Sequence, residues 1–147
     1  MKEFMDLTGS VHVQLFDENG NIKQEHTDRN LIVTVGKTYL AAWLAAASQA
    51  GKFMSYIGVG DGGGGPVAGD VGLASALSPR VLGTLTSATN TWQNQATFAP
   101  TVCTGAITEA GLFDALTTGT MFARQVFAVY NKAAGDTLIV TWTVTFS

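Results

Sequence analysis

The stretch DTLIVTWTVTFS (136–147) decides the fold class. Leu138, Val140, Trp142, Val144 and Phe146 fall on one side of an extended chain, and Thr137, Thr141, Thr143 and Thr145 on the other. A period of two sustained in this way marks a strand with one buried face. Trp142 and Phe146 are therefore core candidates. Threonine suits a pleated surface but carries no charge, so the second face is expected to lie against another sheet or another chain.

Working outward, ITEAGLFDA (107–115) and GTMFARQVFAVYNK (119–132) read as two further strands. Near the start, VHVQLFD (11–17) alternates and then meets Asn19-Gly20. An Asn-Gly pair between extended runs signals a hairpin, because a two-residue turn needs positive φ at both positions. The return strand is read at 22–27. After Asp28-Arg29-Asn30, the apolar, β-branched run Leu31-Ile32-Val33-Thr34-Val35 reads as another extended segment.

The period then changes. Tyr39, Leu40, Trp43, Leu44 and Ala47 sit at helical spacing with alanine between them, which predicts one helix near residues 36–50. Thr34 is its candidate N-cap and Gly51 its C-terminal cap. Tyr39, Trp43 and Leu44 are expected to pack on the sheet as core. Further on, 53–60 reads as a short buried strand and 61–70 as a flexible glycine-rich loop. Residues 73–80 read as a helical turn or an extended connection. Two alternating segments follow at 80–87 and 91–99, with Trp92, Ala96 and Phe98 on one face of the second. The whole is expected to be mainly β: an antiparallel β-sandwich or jelly-roll-like domain of about eight strands with one helix. Residues 1–147 form one expected domain, with 1–9 a candidate extended arm.

Composition narrows the function classes. Charged residues make up 13% of the chain and hydrophobic ones 46%, so its surface is short of the charge that keeps soluble monomers apart. An assembling subunit fits this, as does a neutral all-β domain. Eight Lys and Arg residues against eleven Asp and Glu provide no basic stripe for nucleic acid. No apolar run is long enough to span a bilayer. The single Cys103 has no internal disulfide partner and reads as an inert thiol.

Sites of chemistry are not evident. Gly36-Lys37-Thr38 lacks the earlier glycine of a phosphate-binding loop, since Leu31 stands there. Gly58-Val59-Gly60-Asp61-Gly62-Gly63 contains GxGxxG but introduces no βαβ unit. Asp61 and Asp70 are two carboxylates without further ligands, and His12 and His26 read as a cross-strand pair rather than a metal site. No serine has a nucleophile-elbow context. The reading is of a non-enzyme with no cofactor and no metal. Glu109 and Arg124 stand within apolar stretches on expected neighbouring strands, which suggests an ion pair within or between subunits, with Arg80 as competing partner. The alternative puts both side chains at the solvent face. Asp61, Gly63, Pro66 and Asp70 mark the loop as a candidate interface element.

Several of these pieces together resemble small virion structural proteins of tailed bacteriophages. They are Asn30-Leu31-Ile32-Val33 with Gly36, Tyr56-Ile57-Gly58-Val59-Gly60-Asp61-Gly62, Leu77 with Arg80, and Ile107-Thr108-Glu109-Ala110-Gly111-Leu112-Phe113. Met121-Phe122-Ala123-Arg124 with Phe127, Lys132 and the 138–146 strand complete the series, so the likeness covers 30–146. A weaker likeness joins the same motifs to the attachment regions of phage tail-collar fibre proteins. Ser78-Pro79 departs from the acidic residue that usually precedes the arginine matching Arg80, and no fibre shaft follows Ser147. The resemblance implies a capsid decoration, or cement, protein that bridges subunits of the major capsid protein, with a homotrimer favoured. It implies a place on the phage head after synthesis in the bacterial host cytoplasm. The alternative it leaves open is a neck, tail or baseplate adaptor.

Overall fold

The computed structural model describes residues 6–45 and 53–147. It is mainly β, with antiparallel strands β1 (Leu7–Phe16), β2 (Ile22–Ile32), β3 (Tyr56–Gly60), β4 (Val81–Leu82) and β5 (Thr84–Ala88). β6 (Thr91–Phe98), β7 (Gly105–Phe113), β8 (Met121–Lys132) and β9 (Thr137–Phe146) follow, and α1 (Thr34–Ala45) lies between β2 and β3. The nine strands form one sheet in the order β4-β3-β7-β8-β2-β1-β9-β6-β5. β2 is the hinge of this sheet: it pairs with β1 along nearly its whole length and with β8 only through Leu31 and Ile32. The halves on either side fold over one another as a nearly closed barrel, which is the sandwich-like architecture the alternation predicts.

The seam of this barrel has a simple cause. β4 and β5 are the two ends of the sheet, yet only Gly83 separates them in sequence. The chain therefore leaves β3 and joins β6 in one extended run. The Gly83 amide donates to Ser55 O at 2.8 Å, and Asn94 Nδ2 donates to Met54 O at 2.8 Å, tying the two ends together. A side chain on Gly83 would collide with Asn94, so glycine is required at the crossing.

β9 pairs with β1 along its full length and with β6 from Leu138 to Thr145, and Leu138, Val140, Trp142 and Val144 are wholly buried between the halves. Val11, Val13 and Leu15 of β1 and Ala96 and Phe98 of β6 continue the same layer. Ile57, Val59, Ile107, Ala110 and Leu112 meet it from the other half. Phe146 is half-buried at the rim rather than in the centre. The threonines of β9 face outward, half-buried, where Gln93 and Gln95 of β6 donate to Thr143 and Thr141 at 3.0 Å each.

Several local expectations are corrected. The run 31–35 is not one strand, because β2 continues through Asp28-Arg29-Asn30 to Ile32 and the helix starts at Thr34. Val33, wholly buried, precedes the helix, and its carbonyl accepts from the Lys37 amide at 3.1 Å, so Thr34 is inside the first turn and not its cap. Gly36 packs this turn against β8, where any side chain would strike the Phe122 backbone. Tyr39 and Leu40 lie against the core, but Trp43 is 39% and Leu44 66% exposed, so neither is core. The α1 stripe runs past the edge of the sheet that could cover it. Gly51 and Ala47 lie outside the described residues.

The β1–β2 turn uses positive φ only at Gly20, with Asp17 Oδ1 accepting the Asn19 and Asn21 amides at 2.9 Å. It is thus a longer, side-chain-capped turn, not a two-residue one. The expected arm is also shorter: Leu7, Thr8 and Gly9 belong to β1, and Asp6 and Ser147 exchange backbone hydrogen bonds. Residues 1–5 of it lie outside the described residues.

Candidate functional site

Two regions outside the central core bear on function: a buried ionic centre under the glycine-rich loop, and an apolar groove at the seam.

The ionic centre begins with the alternation Ile57-Gly58-Val59-Gly60 in β3. Ile57 and Val59 point into the core, which leaves the two glycines on the opposite face. A register shift between Ile107 and Glu109 in β7 turns Glu109, Gly111 and Phe113 to that same outer face, while Ala110 and Leu112 go inward. Gly60 pairs with Glu109 and Gly58 with Gly111, and Gly111 in turn pairs with Arg124 of β8. Arg124 and Glu109 are thus diagonal neighbours above a floor of glycine.

The segment after Gly60 lies across that floor as a lid. Glu109 accepts the backbone amides of Ala74 at 3.1 Å and Ser75 at 2.8 Å. Arg124 donates to Glu109 through Nε at 2.9 Å, and its NH2 lies 2.8 Å from the same carboxylate. Its NH1 donates to Asp70 at 2.9 Å and its NH2 to Gly64 O at 3.4 Å. Thr108 donates to Gly62 O at 2.7 Å, and Ser75 hydrogen-bonds Asp61. Gly60 and Gly62 admit no side chain, because one would meet the Ser75 carbonyl or the Glu109 carboxylate. The loop read as flexible is therefore tethered at several points, with Gly63 exposed, Pro66 half-buried and Asp70 turned toward the arginine.

Electrostatics hold this arrangement. Glu109 is wholly buried and Arg124 is 3% exposed. Burial works against the guanidinium charge, but hydrogen bonds and charges from Glu109 and Asp70 outweigh it and raise the Arg124 pKa. The Val67 amide, and then Arg124, hold Asp70 below the usual carboxylate range against partial desolvation. Both carboxylates are bonded by Arg124 and by backbone amides, and a bonded network of this kind positions the loop above the sheet.

Arg80 does not join the pair. Its guanidinium lies over the Phe113 ring, 3.6 Å from the centroid, and donates to Ala115 O at 2.8 Å and Thr118 O at 2.7 Å. The ring and two carbonyl acceptors hold the guanidinium, and burial lowers its pKa while the charge of Asp114 opposes that shift. His12 and His26 do not face each other either, since their cross-strand partners are Thr27 and Val13. Among the described residues no group of three or more His, Cys, Asp or Glu side chains is placed to hold a metal, and no helix is long and apolar enough to cross a membrane.

The apolar groove was not read from the sequence. α1 forms one wall with Tyr39, Leu40 and Trp43, and Leu85, Thr86 and Ser87 of β5 form the other. Phe53 and Met54 lead into it, and Trp92, Phe122 and Phe146 make its floor, enclosing about 490 Å³. Trp92 and Phe122 meet edge to face at 6.1 Å. Elsewhere, Lys132 and Asp136 are buried in positions that alternation alone does not distinguish. Lys132 donates to Ala99 O at 3.0 Å and Asp136 pairs with Lys23 at 2.7 Å.

No protein-family model, no curated protein and no solved structure matches this chain.

Proposed function

We propose that this chain is a non-enzymatic structural protein of a bacteriophage virion, and that it acts as a capsid decoration protein bridging subunits of the major capsid protein. The observation that carries the reading is the convergence of the resembling motifs. Gly60 and Asp61, Glu109 and Gly111, and Arg124 lie far apart in sequence, yet they gather under one loop, while Arg80 packs on Phe113 at the end of the same strand β7. The likeness to phage proteins thus rests on a mutually dependent set of residues, each with a physical reason for its identity.

The surface supports a part in an assembly, for decoration and adaptor alike. The outer face of β6, β9 and β1 presents mostly threonine, glutamine and serine, with His12, Phe16 and Ile139 among them and few charges to repel a neighbouring shell. Many identical, individually weak contacts on a lattice sum to a strong clamp. Oligomerisation, with a trimer favoured, would raise that valence.

The test is the number of copies per particle. Particles would be purified from a host expressing the gene together with its phage, and the chain quantified by mass spectrometry against the major capsid protein. Decoration requires a copy number comparable to that of the shell protein. A small number matching a ring would move the protein to the neck, tail or baseplate. Its absence from purified particles would overturn the virion reading.

A further inference from the structure

We infer that the free edge of β2 pairs with the same edge of a second copy of this chain, antiparallel and about a two-fold axis at Thr27. The inference goes beyond the virion reading and does not depend on it.

An unpaired strand edge is a template for another strand, because it turns backbone amides and carbonyls away from its one neighbour. β2 has such an edge in the middle of the sheet. It pairs with β1 from Ile22 to Asn30, but with β8 only at Leu31 and Ile32. Lys23, Glu25, His26, Thr27 and Arg29 are exposed along it. Charged side chains usually keep a long edge from pairing. Here their order does the opposite at one register.

Residues directly opposite each other in a ladder lie on the same face of the sheet, so a two-fold axis must set one residue against its own copy. With the axis at Thr27, Glu25 stands opposite Arg29 of the second copy and His26 opposite Asp28, and symmetry repeats each pair. Glu25, Thr27 and Arg29 share the face of Gln14, His12 and Ser10, their neighbours in β1, while His26 and Asp28 share the other. Neighbouring registers are worse. An axis at His26 sets Lys23 against Arg29, an axis at Asp28 sets that carboxylate against itself, and an axis at Glu25 does the same there. Opposite charges facing across a ladder stabilise it and like charges destabilise it. The order of charges therefore selects one register and one partner, the same strand.

The groups this register needs are accessible. Arg29 forms no salt bridge among the described residues. Glu25 meets His12 and Gln14 through Oε2, which leaves Oε1 for a guanidinium. The His26 side chain is 68% exposed and lies 3.3 Å from Oδ1 of its own Asp28, which leaves Oδ2. The ladder runs from Glu25 to Arg29 and stops there, because β8 takes the edge at Leu31. A contact this short belongs to the weak class, with a Kd on the order of 10 to 100 µM. It joins copies in pairs and is separate from any threefold interface.

The test is sedimentation equilibrium of the full chain at low salt, from micromolar to submillimolar concentration. Arg29→Glu and Glu25→Arg each turn both symmetry-related pairs into like charges, and each should weaken self-association on the order of 30-fold or more. Mixed in equal amounts, the two variants face each other with opposite charges at both pairs and should associate again. Lys37→Glu, at an exposed position on α1, makes the same charge change as Arg29→Glu away from the edge and should associate as wild type does. Added salt should weaken wild-type pairing, as it does for exposed charges. Melting temperatures check that each variant folds. A wild-type chain that does not self-associate over this range would overturn the inference. So would association that Arg29→Glu leaves intact, or folded variants that stay apart when mixed.

Discussion

β9 and α1 carry comparable apolar stripes, but the protein uses them differently. The β9 stripe is sealed between two halves of the sheet, with Leu138, Val140, Trp142 and Val144 all at 0% exposure. The α1 stripe is sealed only in its first half: Gly36, Tyr39 and Leu40 meet β8 and the core, while Trp43 and Leu44 pass beyond it. A stripe tells which face of an element is apolar. Whether that face is roofed by the same chain depends on where the element sits, and α1 sits at the open seam. Among the described residues nothing roofs Trp43 and Leu44, and Trp43 forms part of one wall of the groove.

The strongest way to break this comparison is to truncate the two tryptophans. Trp142→Ala is expected to cost roughly 3–5 kcal/mol, as for other large core side chains, because nothing can collapse into the space. Trp43→Ala is expected to cost about 1 kcal/mol or less, in line with partly exposed positions. Urea denaturation of the purified variants measures both. Equal losses would mean that α1 is covered after all and that the groove is not an open surface.

The same contrast explains what could be read in advance. Alternation fixes the faces of β9, β6 and β1, because a one-residue slip would turn the whole apolar set outward. The Glu109–Arg124 pairing was legible for a related reason: a charge inside an apolar strand needs a partner. Its third member was not, since Asp70 reaches Arg124 from a loop more than fifty positions away in sequence. A signal was nevertheless present in Ile57-Gly58-Val59-Gly60, where glycine alternating with β-branched residues marks backbone lying against a strand. Trp43 and Leu44 were misplaced because helical spacing carries no information about the sheet edge. Arg80 bonds carbonyls and lies over a ring, with only a charge interaction from Asp114, so a search for ion pairs does not find its main partners.

The ionic centre sharpens the comparison from the polar side. Glu109→Gln keeps the shape but leaves Arg124 buried with only Asp70 to balance it. Breaking a buried pair costs roughly 3–5 kcal/mol in general, and the residual Asp70 contact places this variant at the lower end, about 3 kcal/mol. The readout that separates it from Trp142→Ala is hydrogen exchange. Amides of Ala74 and Ser75 should lose protection first in Glu109→Gln, whereas Trp142→Ala should expose β1, β6 and β9 together. Uniform loss in both variants would show that the loop and the core are one cooperative unit.

The smallest expected effect is at Asp70, the outermost anchor of the loop. Its folded pKa lies below its unfolded value, so the contact stabilises the protein fully above the unfolded pKa of about 3.8. As pH falls through the folded value, the proton binds, the Arg124 contact weakens and that contribution disappears. From neutral pH down to about pH 5, this group should therefore contribute a constant amount, with the loss confined to more acidic solution. Asp70→Asn removes the charge at every pH, and because the site is partly exposed the expected cost is below about 1 kcal/mol. Loop amides followed by hydrogen exchange should then open at neutral pH in Asp70→Asn, and in wild type only below about pH 4. A wild-type loop that loosened near pH 6 would place the controlling group elsewhere, because no carboxylate with a lowered pKa titrates there.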